Sequence, residues 1–208
     1  MSNESELRRA LVEIVKREVS SERVLDVMRV MPRHAFVPEH GLAEAYADHP
    51  LPIGWGATIS QPTVVGMMSE ALDLDGTQRI LEIGTGSGYQ AAVLSRLARH
   101  VDTIEVVADL AERARRALAM LGIQNVEVHV SDGWRGLPDL APFDRIVVTA
   151  APDVLPEALV DQLAEGGLLV VPVGPQSGDQ RLERHLKRDG CLVREDLGAV
   201  RFVPMVHA

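Results

Sequence analysis

Leu81-Glu82-Ile83-Gly84-Thr85-Gly86-Ser87-Gly88-Tyr89-Gln90 is the stretch whose reading decides the fold. It follows a short apolar run over 79–83 and opens a helical pattern through Ala91 to Ala98. That strand–turn–helix setting is what a nucleoside-binding glycine loop requires. Glycine lets the backbone turn sharply and approach a ligand where a Cβ would collide, and the helix amino terminus behind it can receive an anionic group. Three details separate this loop from the dinucleotide type. The spacing is G-x-G-x-G rather than G-x-G-x-x-G. Glu82 stands two residues ahead of the first glycine, where a carboxylate would face an ammonium better than a pyrophosphate. No second nucleotide-sized half follows, and a dinucleotide needs both halves.

Outward from the loop, strands and helices alternate. Val101 to Val106 reads as a second strand, Ala108 to Leu121 as a helix ended by Gly122, and Val126 to Val130 as a third strand. Arg145 to Thr149 is a fourth strand, Leu155 to Leu163 a helix and Gly167 to Val173 a fifth strand. The alternation predicts an α/β fold, a mostly parallel doubly wound sheet that places ligands at the carboxyl ends of its strands. Glu105 ends the second strand about twenty residues beyond the first glycine, where an acidic residue hydrogen-bonds ribose hydroxyls. Asp132-Gly133 ends the third, where a carboxylate can accept from an adenine amino group; an ordinary turn pair explains it about equally well. Together, Glu82, Gly84, Gly86, Gly88, Glu105, Asp132 and Gly133 describe an S-adenosylmethionine site on a Rossmann-like class I methyltransferase fold, with S-adenosylhomocysteine as product.

The flanks are less regular. Leu7, Leu11, Ile14 and Val15 have helical spacing, as do Val24, Val27, Met28 and Met31 before Pro32. Pro38 to Pro62 reads as a long extended loop, too apolar to be disordered and therefore functional. After residue 176 a β-hairpin is expected to extend the sheet antiparallel. The expected layout is one domain over 1–208: a helical and looping amino-terminal cover over 1–62, a cofactor-binding core over 63–175 and a carboxy-terminal hairpin over 176–208.

The formal charge of −9 makes nucleic acid an unfavourable partner. The one dense basic stretch, Arg181 to Arg188, carries Glu183 and reads as a solvated face. Cys191 is the single cysteine, so no internal disulfide is possible and a reducing, cytoplasmic setting is expected. The residues MSNESELRR lack the apolar stretch of a leader, and no run spans a bilayer. The seven histidines show no metal-binding spacing, so no metal is expected.

Ala57-Thr58-Ile59-Ser60-Gln61-Pro62 narrows the reading. With Met31-Pro32-Arg33, Phe36-Val37-Pro38, Ala45-Tyr46-Ala47-Asp48, Leu51-Pro52-Ile53-Gly54, Thr149-Ala150-Ala151-Pro152, Val171-Pro172-Val173-Gly174 and Arg201-Phe202-Val203-Pro204, the chain resembles the protein-L-isoaspartate O-methyltransferase family over most of its length. The resemblance implies a monomeric cytosolic repair enzyme acting on isoaspartyl proteins and peptides, and more weakly on D-aspartyl residues. It methylates the α-carboxyl, and the ester collapses to a succinimide. It implies Ser60 as the active-site residue, Ala57, Thr58 and Ile59 beside the cofactor, and Ala150 and Ala151 beside the substrate. Trp55 stands where relatives vary, and Val65 replaces a histidine of the eukaryotic members.

The chemistry asks for little. An α-carboxylate with a pKa of about 3.5 is already an anionic nucleophile, so no general base is needed. A neutral hydroxyl such as Ser60 can orient one carboxylate oxygen, with Thr58 alongside. A helix cap explains Ser60 equally well from the residues alone, and the resemblance favours orientation. Val203 is expected to bind the peptide through its main chain and Arg201 to attract a second carboxylate. Three rivals remain: a methyltransferase for a dedicated peptide client, a nucleoside-binding module without catalysis, and an NAD-dependent oxidoreductase.

Overall fold

In a computed structural model, residues 3–207 are described; Met1 and Ser2, part of the stretch read as lacking a leader, and Ala208, the end of the expected hairpin segment, lie outside them. The segment carrying the glycine loop builds the centre. β3 (Arg79–Ile83) pairs in parallel with β4 (His100–Glu105) on one side and with β6 (Phe143–Val148) on the other. β5 (Val126–Val130) extends the first side and β7 (Leu163–Val173) the second, both parallel. The chain therefore runs outward from β3 to β5, then crosses back to β6, which puts the reversal of strand order between β3 and β6. A crevice at the carboxyl ends of the strands is expected there.

β3 is buried on both faces, as a central parallel strand should be. Ile80 joins Met68, Leu72, Ala91 and Leu94 on one side, whereas Leu81 and Ile83 join Phe143, Leu159 and Leu163 on the other. Each fully buried Leu or Ile contributes about 1.5–3 kcal/mol relative to exposure. The connecting helices α5 (Tyr89–Ser95), α6 (Ala108–Met120) and α7 (Glu157–Gln162) cover the sheet. The amino-terminal helices α1 (Asn3–Val15), α2 (Glu22–Val30) and α4 (Pro62–Ala71) pack against them through Val15, Leu25, Met28, Val65 and Tyr89.

Two sequence expectations need correction. The 38–62 stretch is not one extended loop: it holds a single helical turn, α3 (Leu42–Ala45), and an antiparallel hairpin of β1 (Leu51–Gly54) and β2 (Ala57–Ile59). Pro50 precedes β1, Gly54 ends it and Gly56 lies in the turn, while Pro52 stands within the strand opposite Thr58. Arg181 to Arg188 is a solvated face only in part: Arg181 and Arg188 are exposed, but the stretch is the body of β8 (Gln180–Arg188), which pairs antiparallel with β7 and with β9 (Cys191–Val200). Leu182, Glu183 and His185 are buried there, and Arg181 and Arg184 are neutralised across the strands by Asp196 and Glu195. The antiparallel hairpin itself is as the sequence predicts. Among the described residues, no helix is long and apolar enough to cross a membrane.

Candidate active site

The glycine loop is held from three directions. Gly84 adopts φ +95°, and a Cβ there would lie 2.5 Å from Thr149 Oγ1. Only glycine suits both the conformation and the approach. In its place the Thr149 hydroxyl donates to the Gly84 carbonyl at 2.6 Å. The Gly84 and Thr85 N–H groups donate to the Ile104 carbonyl at 2.9 and 3.0 Å. Glu105, at the end of β4, accepts from the Gly86 N–H through Oε2 (2.8 Å) and from the Val107 N–H through Oε1 (3.0 Å). Each carboxylate oxygen retains acceptor capacity toward a ligand hydroxyl.

A cavity of about 270 Å³ opens at the carboxyl ends of β3 and β4. Ala57, Thr58, Ile59, Ser60, Gly84, Gly86, Glu105, Gly133, Ala150 and Val203, all expected at the site, line it. Val106, Val107, Leu110 and Met205 add an apolar wall suited to an aromatic base. Gly133 is needed because a Cβ would lie 2.5 Å from Ile83 Cγ2. Glycine loop, paired carboxylate acceptor and apolar slot match the parts of a nucleoside with an amino-acid tail. Trp55, on the hairpin tip at φ 51° and 57% exposed, forms part of the rim.

Four expected residues lie elsewhere. Glu82 is fully buried in the sheet and does not line the cavity. Strand alternation aims it at the face shared with Ile80, beside Thr103, to which it is paired in register. Neither oxygen has a hydrogen-bond partner at normal geometry. Burial pushes its pKa up to about 8; the Thr103 hydroxyl favours the anion and the Glu105 carboxylate opposes it. The carboxyl expected to face an ammonium thus stands behind the cavity wall rather than in it. The Asp132 carboxylate caps the following turn through the Trp134 N–H (2.9 Å) and meets His207 Nδ1 (3.1 Å), which is the turn-pair alternative. Gly88 sits behind the loop as the N-cap of α5, against Ala114. Ala151 makes a β-bridge to Pro204, its N–H donating to the Val203 carbonyl at 2.8 Å.

A second cavity of about 460 Å³ adjoins the first, between Pro50, Gln61 and Val64 on one side and Ala199 to Val203 on the other. Arg201 lines it. Thr58, Ser60, Thr149 and Val203 line both cavities, so the two spaces meet at these side chains. Ser60 does not cap α4. Gln61 holds the N-cap position without a side-chain bond, and Asp48 serves the helix instead. Its carboxylate accepts from the Thr63 N–H (2.9 Å), the Thr63 hydroxyl (2.8 Å) and Gln61 Nε2 (2.9 Å). Asp48 and Thr149 stand within motifs of the sequence, but their spacing assigns neither a role. Both act over long sequence distances.

The histidines were expected to show no metal spacing. The β4–β5 register nevertheless sets Asp102 beside Glu127 and brings ligand atoms of His100, Asp102 and Glu127 within 4.8 Å of one another. Asp102 is already served by His129 Nε2 at 3.0 Å and Arg79 Nη2 at 3.3 Å, and none of these residues lines either cavity.

A family profile described as Protein-L-isoaspartate(D-aspartate) O-methyltransferase matches residues 5–208. A protein-L-isoaspartate O-methyltransferase of Anaeromyxobacter dehalogenans is 54% identical over 192 residues, covering 91% of each chain. One of Dictyoglomus turgidum is 48% identical over 199 residues, 95% of this chain and 90% of its own. Among solved structures, a protein-L-isoaspartate O-methyltransferase superposes with TM-score 0.87 at 34% identity; 95% of this chain is covered, and this chain spans 65% of that longer one. A Plasmodium falciparum protein assigned as a beta-aspartate methyltransferase, solved with S-adenosyl-L-homocysteine, superposes with TM-score 0.83 at 26% identity over 96% of this chain and 98% of its own.

Proposed function

The chain belongs to the protein-L-isoaspartate(D-aspartate) O-methyltransferase family, and from that premise we propose how its site transfers a methyl group from S-adenosylmethionine to the α-carboxylate of isoaspartyl residues in damaged proteins and peptides. One observation carries the reading: two cavities of unlike character share a wall of neutral side chains, Thr58, Ser60, Thr149 and Val203. Cofactor in one and peptide in the other would meet only there.

The 57–60 stretch, Gly84 and Gly86, Glu105 and Gly133 would hold the cofactor, with Glu105 on the ribose hydroxyls and the Val106–Val107 wall against the base. When bound, S-adenosylmethionine supplies a methyl group on a positively charged sulfur. The peptide would lie in the adjoining groove, its extended main chain against Val203 and a flanking carboxylate toward Arg201. Its α-carboxylate, with a pKa of about 3.5, arrives ionised, so the site needs no base. Ser60, released from capping by Asp48, donates its hydroxyl to one carboxylate oxygen and leaves the other to react. Alignment of this kind supplies up to roughly 7–11 kcal/mol in model systems. Residues 1–62 then act as a cover that closes the cofactor core over 63–175, since the hairpin of β1 and β2 provides the Trp55–Ile59 wall. A monomer in the cytoplasm, acting on neither nucleic acid nor membrane, fits the charge of −9 and the single cysteine.

The test is paired peptides differing only in one isoaspartyl or aspartyl linkage. Base-labile methyl incorporation is expected in the first alone. Equal labelling of both would overturn the repair assignment while leaving carboxyl methylation standing.

A further inference from the structure

Beneath the Ser60 wall lies a buried cation. Arg33 begins the 3-10 turn after α2 and is 0% exposed. Nη1 donates to the Ala45 carbonyl at 2.6 Å; Nη2 donates to the His49 and Ser60 carbonyls, both at 3.1 Å. Among the described residues no carboxylate forms an ion pair with it; Asp48, the one carboxylate that acts on its charge, is occupied in capping α4. The guanidinium also stands over the Tyr89 ring at 5.9 Å, and Tyr89 lines the cofactor cavity.

Removing a charge from water without an opposite charge is expensive, and an apolar side chain of similar volume would pack such a site at lower cost. What the arginine adds is geometry. One nitrogen bridges His49 and Ser60, which stand at the two feet of the β1–β2 hairpin, while its twin holds the end of α3. The planar fork fixes where those carbonyls point relative to one another, which a point charge cannot do. Fixing the Ser60 carbonyl fixes its peptide plane and so constrains the position from which its Cα–Cβ bond presents the hydroxyl at the junction of the two cavities.

We propose that Arg33 is a positioning residue for methyl transfer, clamping the hairpin's feet so that the Ser60 hydroxyl is aimed at the substrate carboxylate. The inference rests on the orienting role given to Ser60 above. Arg33→Lys, Ser60→Ala and the double variant separate the two. In Arg33→Lys, S-adenosylhomocysteine affinity and peptide KM should stay within about threefold while kcat falls about tenfold or more. In the Ser60→Ala background the same change should cost less than about threefold, because the group being aimed is gone. If Ser60→Ala slows turnover but Arg33→Lys does not, or if the two losses multiply, Arg33 is not acting through Ser60. If Ser60→Ala leaves kcat untouched, the role of Ser60 itself is wrong. Should Arg33→Lys fail to fold by thermal melting, Arg33→Gln, which keeps amide donors within the same volume, is read against the same outcomes.

Discussion

The two walls of the cofactor cavity are built differently. The floor, formed by β3, β4 and the glycine loop, is held by groups close in the sheet: Ile104 carbonyl to the loop N–H groups, Glu105 to Gly86 and Val107, Thr149 to Gly84. The roof, the hairpin of β1 and β2, belongs to a separate two-stranded sheet and is tied down by side chains reaching in from elsewhere. Arg33 holds its feet, Arg113 of α6 donates to the Ile53 carbonyl at 3.2 Å, and Asp48 secures the helix that follows. The floor is fixed by the sheet itself, and the roof is fixed onto it by a few long side chains. Changes to the floor should therefore appear in cofactor affinity, and changes to the roof in turnover.

The largest effect should come from the floor's buried carboxyl. Free glutamate titrates near 4.3, whereas burial holds Glu82 up to about 8. The folded state thus keeps its proton more tightly than the unfolded chain. Stability is full below the unfolded value and is lost as pH rises through the folded one, by roughly 3–5 kcal/mol at pH above 8. Glu82→Gln should flatten the fall in melting temperature of cofactor-free protein between about pH 5 and 8. Parallel curves for the two proteins would show that Glu82 does not carry that proton.

Next is Glu105, where a charged acceptor serves two N–H groups and each such bond is worth about 1.5–3 kcal/mol. Glu105→Ala should weaken S-adenosylhomocysteine binding by about 30–100-fold in a calorimetric titration. Unchanged affinity would remove the carboxylate from the site and the floor from its assigned part.

The smallest of the three is on the roof. Asp48→Ala removes the cap of α4, a loss of about 1–2 kcal/mol, and should lower the melting temperature by about 2–8 °C. S-adenosylhomocysteine affinity should stay within about threefold while turnover drops. A loss of affinity as large as that of Glu105→Ala would erase the distinction between floor and roof.

The same division explains what the sequence revealed. Floor residues sit in one stretch or at strand ends with fixed offsets, so Gly84, Gly86 and Glu105 are legible from spacing, and the alternation of strands and helices discloses the sheet. For Glu82 the offset from the first glycine says nothing about which face of the strand it takes; the alternation with Leu81 and Ile83 does. Asp132 is legible as an acid at a strand end, but its carboxylate is claimed by Trp134 and His207, the latter 75 residues away. Arg33 and Asp48 were invisible as working parts because their partners are 12–27 and 13–15 residues distant, with no periodic pattern linking them. Ser60 is legible only through family resemblance, because what frees it from capping is the distant carboxylate of Asp48.

β9, at the outer edge of the seven-stranded sheet, carries Arg194, Glu195 and Asp196 on exposed positions and breaks register with β8 near Gly198. An enzyme that acts on protein chains risks being zipped to them, or to copies of itself, along any free strand edge. Charges and an irregular edge discourage that pairing. On the function proposed above, the short stretch around Val203 is where main-chain contact with a substrate is wanted, and β9 is built so as not to compete with it.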